Sequence, residues 1–332
     1  RPILVNSWEA AYFDFDGDTL YELAKEAKNV GIDMLVLDDG WFGKRDDDNS
    51  GLGDWFVNEK KLGGTLGSLI QKINDLGVKF GIWIEPEMIS EDSDLYREHP
   101  DWAIHIDERE GVQSRNQMVL DLSRDEVCEY VINAVSDILA NANIEYVKWD
   151  MNRQLTDMPR LGYNHEYTLG YYKIMSAITE KFPNILFEGC SAGGGRFDAG
   201  VLAYMPQIWT SDNSDAIARL KMQYSTSMCY PVYSISSHVT ASPNHQCGRD
   251  TSLKTRADVA YCGTFGYELD VTKMSDEEFE EIKAQIEFEK RIQDLMCNGD
   301  LYRLINPYET NYCSWEVISK DKKHIFVMAC KV

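Results

Sequence analysis

Several acidic residues of the sequence stand directly after short apolar runs, and tryptophans neighbour three of these positions. The segments are Trp8-Glu9, Asp38-Asp39-Gly40-Trp41, Glu85-Pro86-Glu87, Asp121, Lys148-Trp149-Asp150, Glu188-Gly189-Cys190 and Ser211-Asp212. Aromatic rings pack on the apolar C–H face of a pyranose, and charged hydrogen bonds select its individual hydroxyls. If the fold brings these segments together, they form a sugar site.

A metal site is the rival interpretation, because Asp and Glu at successive strand ends hold Mg²⁺ in enolase-like barrels. Such a site also needs a Lys or His base. Lys148 stands two positions before Asp150 and would share its strand face, which favours an ion pair between them. His238 and His245 are seven residues apart, which matches no ligand spacing, and we predict structural roles for both. We predict no metal ion and no organic cofactor.

Two motifs have structural explanations that compete with binding. Asp38 and Asp39 before Gly40 are typical of a turn whose carboxylates cap the next helix. The glycine-rich segment 191–198 could cradle a phosphate, but it lacks the Gly-Lys-Ser/Thr ending of a P-loop, and a tight turn explains it equally well. Lys148 and Asp150 favour function, because opposite charges in a barrel mouth are costly unless they serve a ligand or each other.

Short apolar runs alternate with amphipathic segments along most of the chain, which predicts buried parallel strands separated by helices. The runs are residues 3–8, 34–38, 79–85, 118–122, 146–150, 185–190, 207–211 and 237–240. This alternation predicts the α/β class and, within it, a (β/α)8 TIM barrel. In such barrels functional residues gather at the C-terminal ends of the strands, where the acidic segments stand.

The pattern changes near the C-terminus. A charged helical segment at 275–297 is followed by two runs, 312–319 and 324–330, that indicate antiparallel strands. We predict a catalytic barrel over 1–300 and the beginning of an incomplete C-terminal β domain over 301–332. The sequence opens at Arg1 with neither an initiating Met nor a signal peptide, so we expect a piece of a longer chain.

The composition and net charge of the chain exclude some classes of binding partner. The 332 residues are 44% hydrophobic and 27% charged, which is typical of a soluble globular protein, and no apolar run is long enough for a transmembrane helix. A net charge of −22 repels phosphate backbones and anionic lipid, so we predict no nucleic-acid partner and no membrane partner. The eight cysteines form no Cys-x-x-Cys pair, which favours free thiols in a reducing, cytoplasmic compartment.

Many of these motifs resemble, in the same order, those of family 36 glycoside hydrolases, which are α-galactosidases. The matching segments are Asn6-Ser7-Trp8-Glu9-Ala10, Leu37-Asp38-Asp39-Gly40-Trp41-Phe42, Gly81-Ile82-Trp83-Ile84-Glu85-Pro86-Glu87-Met88, Val147-Lys148-Trp149-Asp150-Met151-Asn152-Arg153, Phe187-Glu188-Gly189-Cys190, the glycine-rich segment, Trp209-Thr210-Ser211-Asp212-Asn213-Ser214-Asp215 and Pro243-Asn244-His245-Gln246. One departure is Ala192, where many relatives have glycine. Family members also carry a β-sandwich before the barrel, which is absent from this sequence, and a β domain after it, which is cut short.

The resemblance implies a retaining α-galactosidase that cleaves terminal α-galactose from melibiose or the raffinose series through a covalent galactosyl-enzyme. It implies Asp150 as the nucleophile and Asp212 as the acid/base. The residues that it places around galactose are Trp8, Asp38, Asp39, Arg115, Lys148, Asn152, Cys190 and Gly193. We expect Trp55 either at the aglycone side or in an oligomer contact, and the family suggests a homo-oligomer, often a tetramer.

Elementary chemistry agrees with these implied roles. Adjacent carboxylates such as Asp38 and Asp39 can bind the axial hydroxyl of galactose and its neighbour, which a glucoside would leave unpaired. A charged Asp150 close by would raise the pKa of Asp212 and keep it protonated. The competitor is Asp215, which should fall in the first turn of a helix, where carboxylates are usually structural. Asp212 itself could be the N-cap of that helix.

Three alternative functions stay open. An N-acetyl-α-galactosaminidase needs space beside the sugar O2, a region that the resemblance fills with Cys190 and the glycine-rich segment. A raffinose-synthase-like galactosyltransferase would share the intermediate but pass it to a sugar acceptor. A non-catalytic carbohydrate-binding barrel belongs to a different class, and the presence of both Asp150 and Asp212 argues against it.

Overall fold

The structure, a computed structural model, describes residues 1–109 and 111–332, and within them eight parallel strands form a closed barrel. The strands are β1 (Leu4–Asn6), β2 (Met34–Leu37), β3 (Lys79–Ile84), β4 (Tyr146–Trp149), β5 (Leu186–Gly189), β6 (Gln207–Trp209), β7 (Ile235–Thr240) and β8 (Thr264–Glu268). Each strand pairs with the next, and β8 closes the barrel by pairing Gly266 with Leu4 of β1. The predicted (β/α)8 barrel is confirmed.

Helices connect the strands and cover the barrel. They are α1 (Trp8–Ala11), α2 (Gly17–Val30), α3 (Glu59–Leu62), α4 (Leu66–Asp75), α5 (Asp94–Glu98), α6 (Asp125–Ala140), α7 (Tyr163–Lys181), α8 (Ala199–Leu202), α9 (Ala216–Thr226), α10 (Leu253–Ala260) and α11 (Asp276–Asn298), with 3₁₀ turns at Pro100–Trp102, Val232–Ser234 and Val271–Lys273. Local chemistry sets their ends. The Asp16 side chain accepts from the Thr19 N–H to begin α2, and Gly31, at φ 97°, ends it in the left-handed conformation that glycine favours.

Two of the predicted barrel strands were misplaced. The run at 118–122 is wrong as a barrel strand, because Met118–Val119 instead pairs antiparallel with Met88–Ile89 in a short ribbon outside the barrel. This ribbon is apolar because its residues are buried in the same hydrophobic core as the barrel. The run at 237–240 belongs to the seventh strand, and the eighth, β8, was missed. Asp121 accordingly lies away from the barrel mouth and accepts hydrogen bonds from Ser123 and Tyr163.

A three-stranded antiparallel sheet follows α11, as predicted for the last two of its strands. It consists of β9 (Asp300–Ile305), β10 (Tyr312–Ile318) and β11 (Ile325–Lys331). One face packs on the barrel: Trp315 is buried, lies 6.2 Å from the ring of Tyr224 and donates its indole N–H to Cys262 Sγ. The barrel and the sheet therefore share one hydrophobic core.

Across the part of the chain that the structure describes, no helix combines the length and the apolar character needed to cross a bilayer. The eight cysteines are free thiols.

Helix α7 packs unusually closely on the segment before α6. A Cβ atom added to Gly170 would lie 1.8 Å from the Leu122 carbonyl oxygen, whereas one added to Gly67 in α4 would meet its nearest atom, the Asn141 oxygen, at 3.4 Å. We expect Gly170→Ala to destabilise the chain by about 1–3 kcal/mol through overpacking, although alanine favours helix by about 1 kcal/mol. Gly67→Ala is the matched control and should be neutral or stabilising. Urea unfolding measures both, and equal midpoints would contradict the close packing.

Candidate active site

A cavity of about 270 Å³ opens at the C-terminal ends of the barrel strands. It is lined by Trp8, Glu9, Asp38, Asp39, Trp83, Arg115, Lys148, Asp150, Asn152, Trp209, Asp212, His245, Gln246 and Glu268. This volume lies at the small end of the range for ligand pockets, so the cavity suits a single sugar ring. Acidic and aromatic residues that are far apart in sequence thus meet at one place, because the strands that carry them are neighbours in the barrel.

Eight of the eleven residues expected at the site line this cavity, and three do not. Cys190 lies behind the wall, with its Sγ 4.0 Å from Asp212 Oδ1. Gly193 adopts φ 87° and packs so closely that a Cβ would lie 2.6 Å from Ser211 Cα. Cys190 and Gly193 therefore support the segment that carries Asp212, but they do not line the cavity in this structure.

Trp55 also lies outside the cavity. Its ring centroid is 4.4 Å from that of Phe42 and 6.5 Å from that of Trp83, so Trp55 packs behind a wall residue. Its other side borders a separate surface cleft that contains Tyr130. Within this chain, Trp55 has the environment of a core residue.

Asp150 is held by donors from three neighbouring residues. The indole N–H of Trp83 donates to Asp150 Oδ2 at 3.2 Å, the Asn152 amide donates to the same oxygen at 2.7 Å, and the Met151 backbone N–H donates to Oδ1 at 2.7 Å. Asn152 is fixed in turn, because its backbone N–H donates to the buried carboxylate of Glu85. Such a shell of donors suits an ionised carboxylate of fixed orientation.

The ion pair expected between Lys148 and Asp150 is wrong. Lys148 Nζ instead lies 2.9 Å from Asp38 Oδ2, which also accepts from the Asn6 amide. The pair forms across the barrel because Asp38 ends β2, whereas the oxygens of Asp150 already have donors. Burial alone would lower the pKa of Lys148, but the charges of Asp38 and Glu268 outweigh it and raise that pKa well above its usual value.

Asp39 has a separate cation. The guanidinium of Arg45, 1% exposed, binds it with Nη2 at 2.9 Å and Nε at 3.1 Å. Burial still leaves the pKa of Asp39 raised. The alternative role of Asp38 and Asp39 as helix caps is wrong, since Asn58 caps the helix that follows, α3.

Asp212 differs from Asp150 in that, within residues 1–109 and 111–332, the one side-chain donor near its carboxyl is Cys190 Sγ, at 4.0 Å. Burial and the nearby charge of Asp150 raise its pKa to about 6, although Lys148 and Arg115 act in the opposite direction. Asp215, its competitor, is the N-cap of α9: it accepts from the Ala218 N–H at 2.9 Å and from Arg249 at 2.7 Å. The structural role predicted for Asp215 is confirmed, and Asp212 is free of that role.

Six residues that line the cavity had no predicted binding role. They are Glu9, Trp83, Trp209, His245, Gln246 and Glu268. Glu268 was missed because it ends the strand that was missed, whereas Glu9 stood in an acidic segment and gave a usable signal. His245 was expected to be structural, yet it lines the cavity with Nδ1 3.3 Å from Glu9 Oε1. His238 is buried, with Nδ1 3.2 Å from Glu268 Oε2, as a structural histidine would be.

The pKa values of Glu9 and Glu268 are shifted in opposite directions. Burial and the charge of Glu268 raise the pKa of Glu9 to about 8. Burial would also raise the pKa of Glu268, but the hydrogen bond with His238 and the charge of Lys148 leave it below its usual value. Among the residues that the structure describes, no three His, Cys, Asp or Glu side chains are grouped as metal ligands.

The fold and the site together define a class. A (β/α)8 barrel with two carboxylates in unlike environments, a buried Lys–Asp pair and tryptophans at its mouth has the features of a glycoside hydrolase. The family model described as Melibiase matches residues 1–299. The chain belongs to this family.

Individual relatives agree with that assignment. The chain is 51% identical over 340 residues to alpha-galactosidase AgaA of Geobacillus stearothermophilus, covering 100% of this chain and 47% of AgaA. It is 54% identical over 332 residues to the bifunctional alpha-galactosidase/sucrose kinase AgaSK of Mediterraneibacter gnavus, covering 100% of this chain and 36% of AgaSK. The chain thus spans about half the length, or less, of these curated relatives.

Solved structures show the same similarity. The galactosidase domain of AgaSK superposes with a TM-score of 0.99 at 54% identity, covering 100% of this chain and 46% of that one. An AgaA variant from Geobacillus stearothermophilus in complex with raffinose superposes with a TM-score of 0.98 at 50% identity, covering 100% and 47%.

The raised pKa of Asp212 has a consequence for stability. The pKa of this carboxyl is about 6 in the folded chain, against an ordinary value of 3.8, so its ionisation above pH 6 disfavours the folded state. Because Asp212 is exposed at the cavity opening, solvent screening reduces this cost to about 1 kcal/mol. Asp212→Asn removes the ionisation and should raise the free energy of unfolding by that amount at pH 8. Near pH 3 the carboxyl is mostly protonated in both the folded and the unfolded chain, and the difference should nearly vanish. Urea unfolding at the two pH values measures it, and the same gain at both would rule out this origin.

Proposed function

We propose that this chain is the catalytic barrel of a retaining α-galactosidase that hydrolyses terminal α-galactosides such as melibiose and the raffinose series. The observation that carries the proposal is the contrast between Asp150 and Asp212 in one cavity. Asp150 is surrounded by donors, while burial and the Asp150 charge raise the pKa of Asp212 to about 6. Two carboxyl groups in unlike environments are what acid-assisted nucleophilic displacement at a sugar requires.

In this mechanism Asp150 attacks the anomeric carbon while Asp212 donates its proton to the leaving oxygen. The product is a covalent galactosyl-enzyme with inverted configuration at that carbon. Asp212, now ionised, takes a proton from water, which displaces Asp150 and restores the original configuration. We expect the two carboxyl groups to lie about 5–5.5 Å apart, as in other retaining enzymes.

Galactose selection is assigned to the two ion-paired aspartates. Lys148 and Arg45 hold Asp38 and Asp39 as ordered acceptors at the cavity wall. We propose that these carboxylates accept hydrogen bonds from the axial hydroxyl and its neighbour. A glucoside would leave one acceptor unpaired in a buried site, which is a large discrimination. Arg115, whose Nη2 lies 3.2 Å from Asp48, is placed to bind other ring hydroxyls.

Further proposals concern the whole protein. We propose a domain boundary near residue 300, with the sheet β9–β11 as the beginning of a larger β domain. Side chains of Tyr302, Ile325 and Val327 on the sheet are at least half exposed, which supports a further layer over them. The tetramer and the cytoplasmic location are also proposals, the second supported by the free thiols. Size measurement of the full-length protein in solution tests the tetramer.

Loss of the nucleophile gives the first kinetic test. Asp150→Ala should abolish turnover, because the nucleophile is removed. The fold should stay intact, because the neighbouring Asn152 and Trp83 remain in place. Azide is small enough to occupy the vacated space and should restore some cleavage of an activated aryl galactoside. Its attack gives the galactosyl azide of inverted configuration, which NMR identifies. An Asp150→Ala variant that turns over at nearly the wild-type rate would end the assignment.

Loss of the general acid should depend on the leaving group. Asp212→Ala should lower kcat/KM for melibiose by about 10²–10⁴-fold. It should largely spare formation of the intermediate from an activated aryl galactoside, whose leaving group needs no proton. Asp215→Ala is the matched control, since Asp215 caps α9. If Asp215→Ala shows this dependence and Asp212→Ala does not, the roles are assigned to the wrong residues.

A further inference from the structure

Glu9 is a buried cavity residue that the proposed chemistry does not use. It lies in α1, the short helix that follows β1, and is 8% exposed. Its carboxyl contacts two other segments at the barrel mouth, one after β6 and one after β7. Glu9 Oε2 accepts from the Ala241 backbone N–H at 3.0 Å, and Glu9 Oε1 accepts from the Ser214 hydroxyl and lies 3.3 Å from His245 Nδ1.

Both of these segments are connected to Asp212, the first along the chain and the second through hydrogen bonds. Ser214 stands two residues after Asp212, and its own backbone oxygen accepts from the Thr240 hydroxyl at 2.9 Å. Asn244 donates to the Ser214 hydroxyl oxygen at 2.9 Å. The segment that carries Asp212 is therefore tied on its C-terminal side to the loop after β7, and Glu9 holds the shared hydroxyl.

The loop after β7 also reaches Asp212 directly. The Gln246 side-chain amide donates to the Asp212 backbone oxygen at 2.6 Å. Asn244 orders that loop, because its side-chain oxygen accepts from the Gln246 backbone N–H at 3.0 Å. Glu9 contacts both ends of this arrangement, through Ala241 and through His245, the neighbour of Gln246.

The Asp212 carboxyl has little else to position it. Within residues 1–109 and 111–332, its only side-chain contact of hydrogen-bond type is with Cys190 Sγ, at 4.0 Å. Asp150, in contrast, is aimed by three donors. The placement of the Asp212 carboxyl thus depends on its main chain, which Ser214 and Gln246 fix.

We infer that Glu9 is a positioning residue for the acid/base Asp212, acting through Ser214 and through the loop 241–246. The inference rests on the proposed function, because it needs Asp212 to be the proton donor. Misplacement of a catalytic group by about 1 Å costs about 10²-fold in rate, so loosening these contacts should weaken protonation of the leaving group. The step that needs no proton donor should be much less affected.

The experiment compares raffinose with an activated aryl α-galactoside, using the full-length protein. Glu9→Ala should lower kcat/KM for raffinose about tenfold to hundredfold and for the aryl substrate by no more than about threefold. Glu9→Gln keeps the shape and can still accept from Ala241, so it should stay near the wild type. Ser214→Ala removes only the shared hydroxyl and should reproduce the Glu9→Ala pattern, which decides the matter if Glu9→Ala does not fold.

The controls separate the possible failures. Glu289, a buried glutamate on α11 outside the cavity, is the matched control, and Glu289→Ala should lower both activities equally or not at all. Both substrates carry the same galactose, so equal losses in Glu9→Ala and Ser214→Ala would mean a role in galactose binding or folding and would overturn the inference. If Asp212→Ala itself lacks leaving-group dependence, the proposed acid fails first. If Asp212→Ala shows it and Ser214→Ala does not, only the positioning role fails.

Discussion

The concentration of carboxylates at the barrel mouth is the constraint on which the rest of the site depends. Six carboxylates line one small cavity, and a seventh, Glu85, lies buried behind it. Burying this much negative charge in a low-dielectric cavity costs too much free energy unless each carboxyl is paired, hydrogen-bonded or protonated. The chain uses all three solutions, and the differences between them separate the roles of the residues.

Ion pairs serve the two aspartates proposed to select the sugar. Lys148 and Arg45 reach Asp38 and Asp39 within the buried mouth, so these acceptors are paired and held in place. The indole of Trp83 and the amide of Asn152 are neutral donors to Asp150, which forms no salt bridge with any residue that the structure describes. These donors fix the orientation of the proposed nucleophile, and no described cation competes with the anomeric carbon for its oxygens.

Raised pKa values distinguish two of the other carboxyl groups. Burial and the Asp150 charge raise the pKa of Glu85 to about 8, just as they raise the pKa of Asp212 to about 6. Glu85 is enclosed and holds Asn152, whereas Asp212 faces the cavity, so of these two groups only Asp212 is accessible to a ligand. The same electrostatic effect therefore acts on an enclosed structural group and on the group proposed as the acid.

The barrel and most of the residues that line the cavity could be predicted from the sequence, because the ends of the barrel strands can be recognised in it. Apolar runs end in Asp or Glu, and the closed sheet must bring those ends together. The prediction failed where an apolar run had another cause: Met118–Val119 belongs to a short ribbon that packs into the core from outside the barrel. Because this run was counted as a barrel strand, β8 and its residue Glu268 were missed. Contacts across the barrel, such as Lys148 with Asp38, depend on strand order and side-chain reach, which spacing along one strand does not contain.

In the proposed mechanism the anomeric configuration is retained because Asp150 forms a covalent bond with galactose. Proton NMR of the full-length protein acting on an aryl α-galactoside, recorded before mutarotation equilibrates the product, tests this most directly. The two-carboxylate account predicts that α-galactose appears first and that the β anomer grows in later. Initial release of β-galactose would mean direct attack by water and would contradict it.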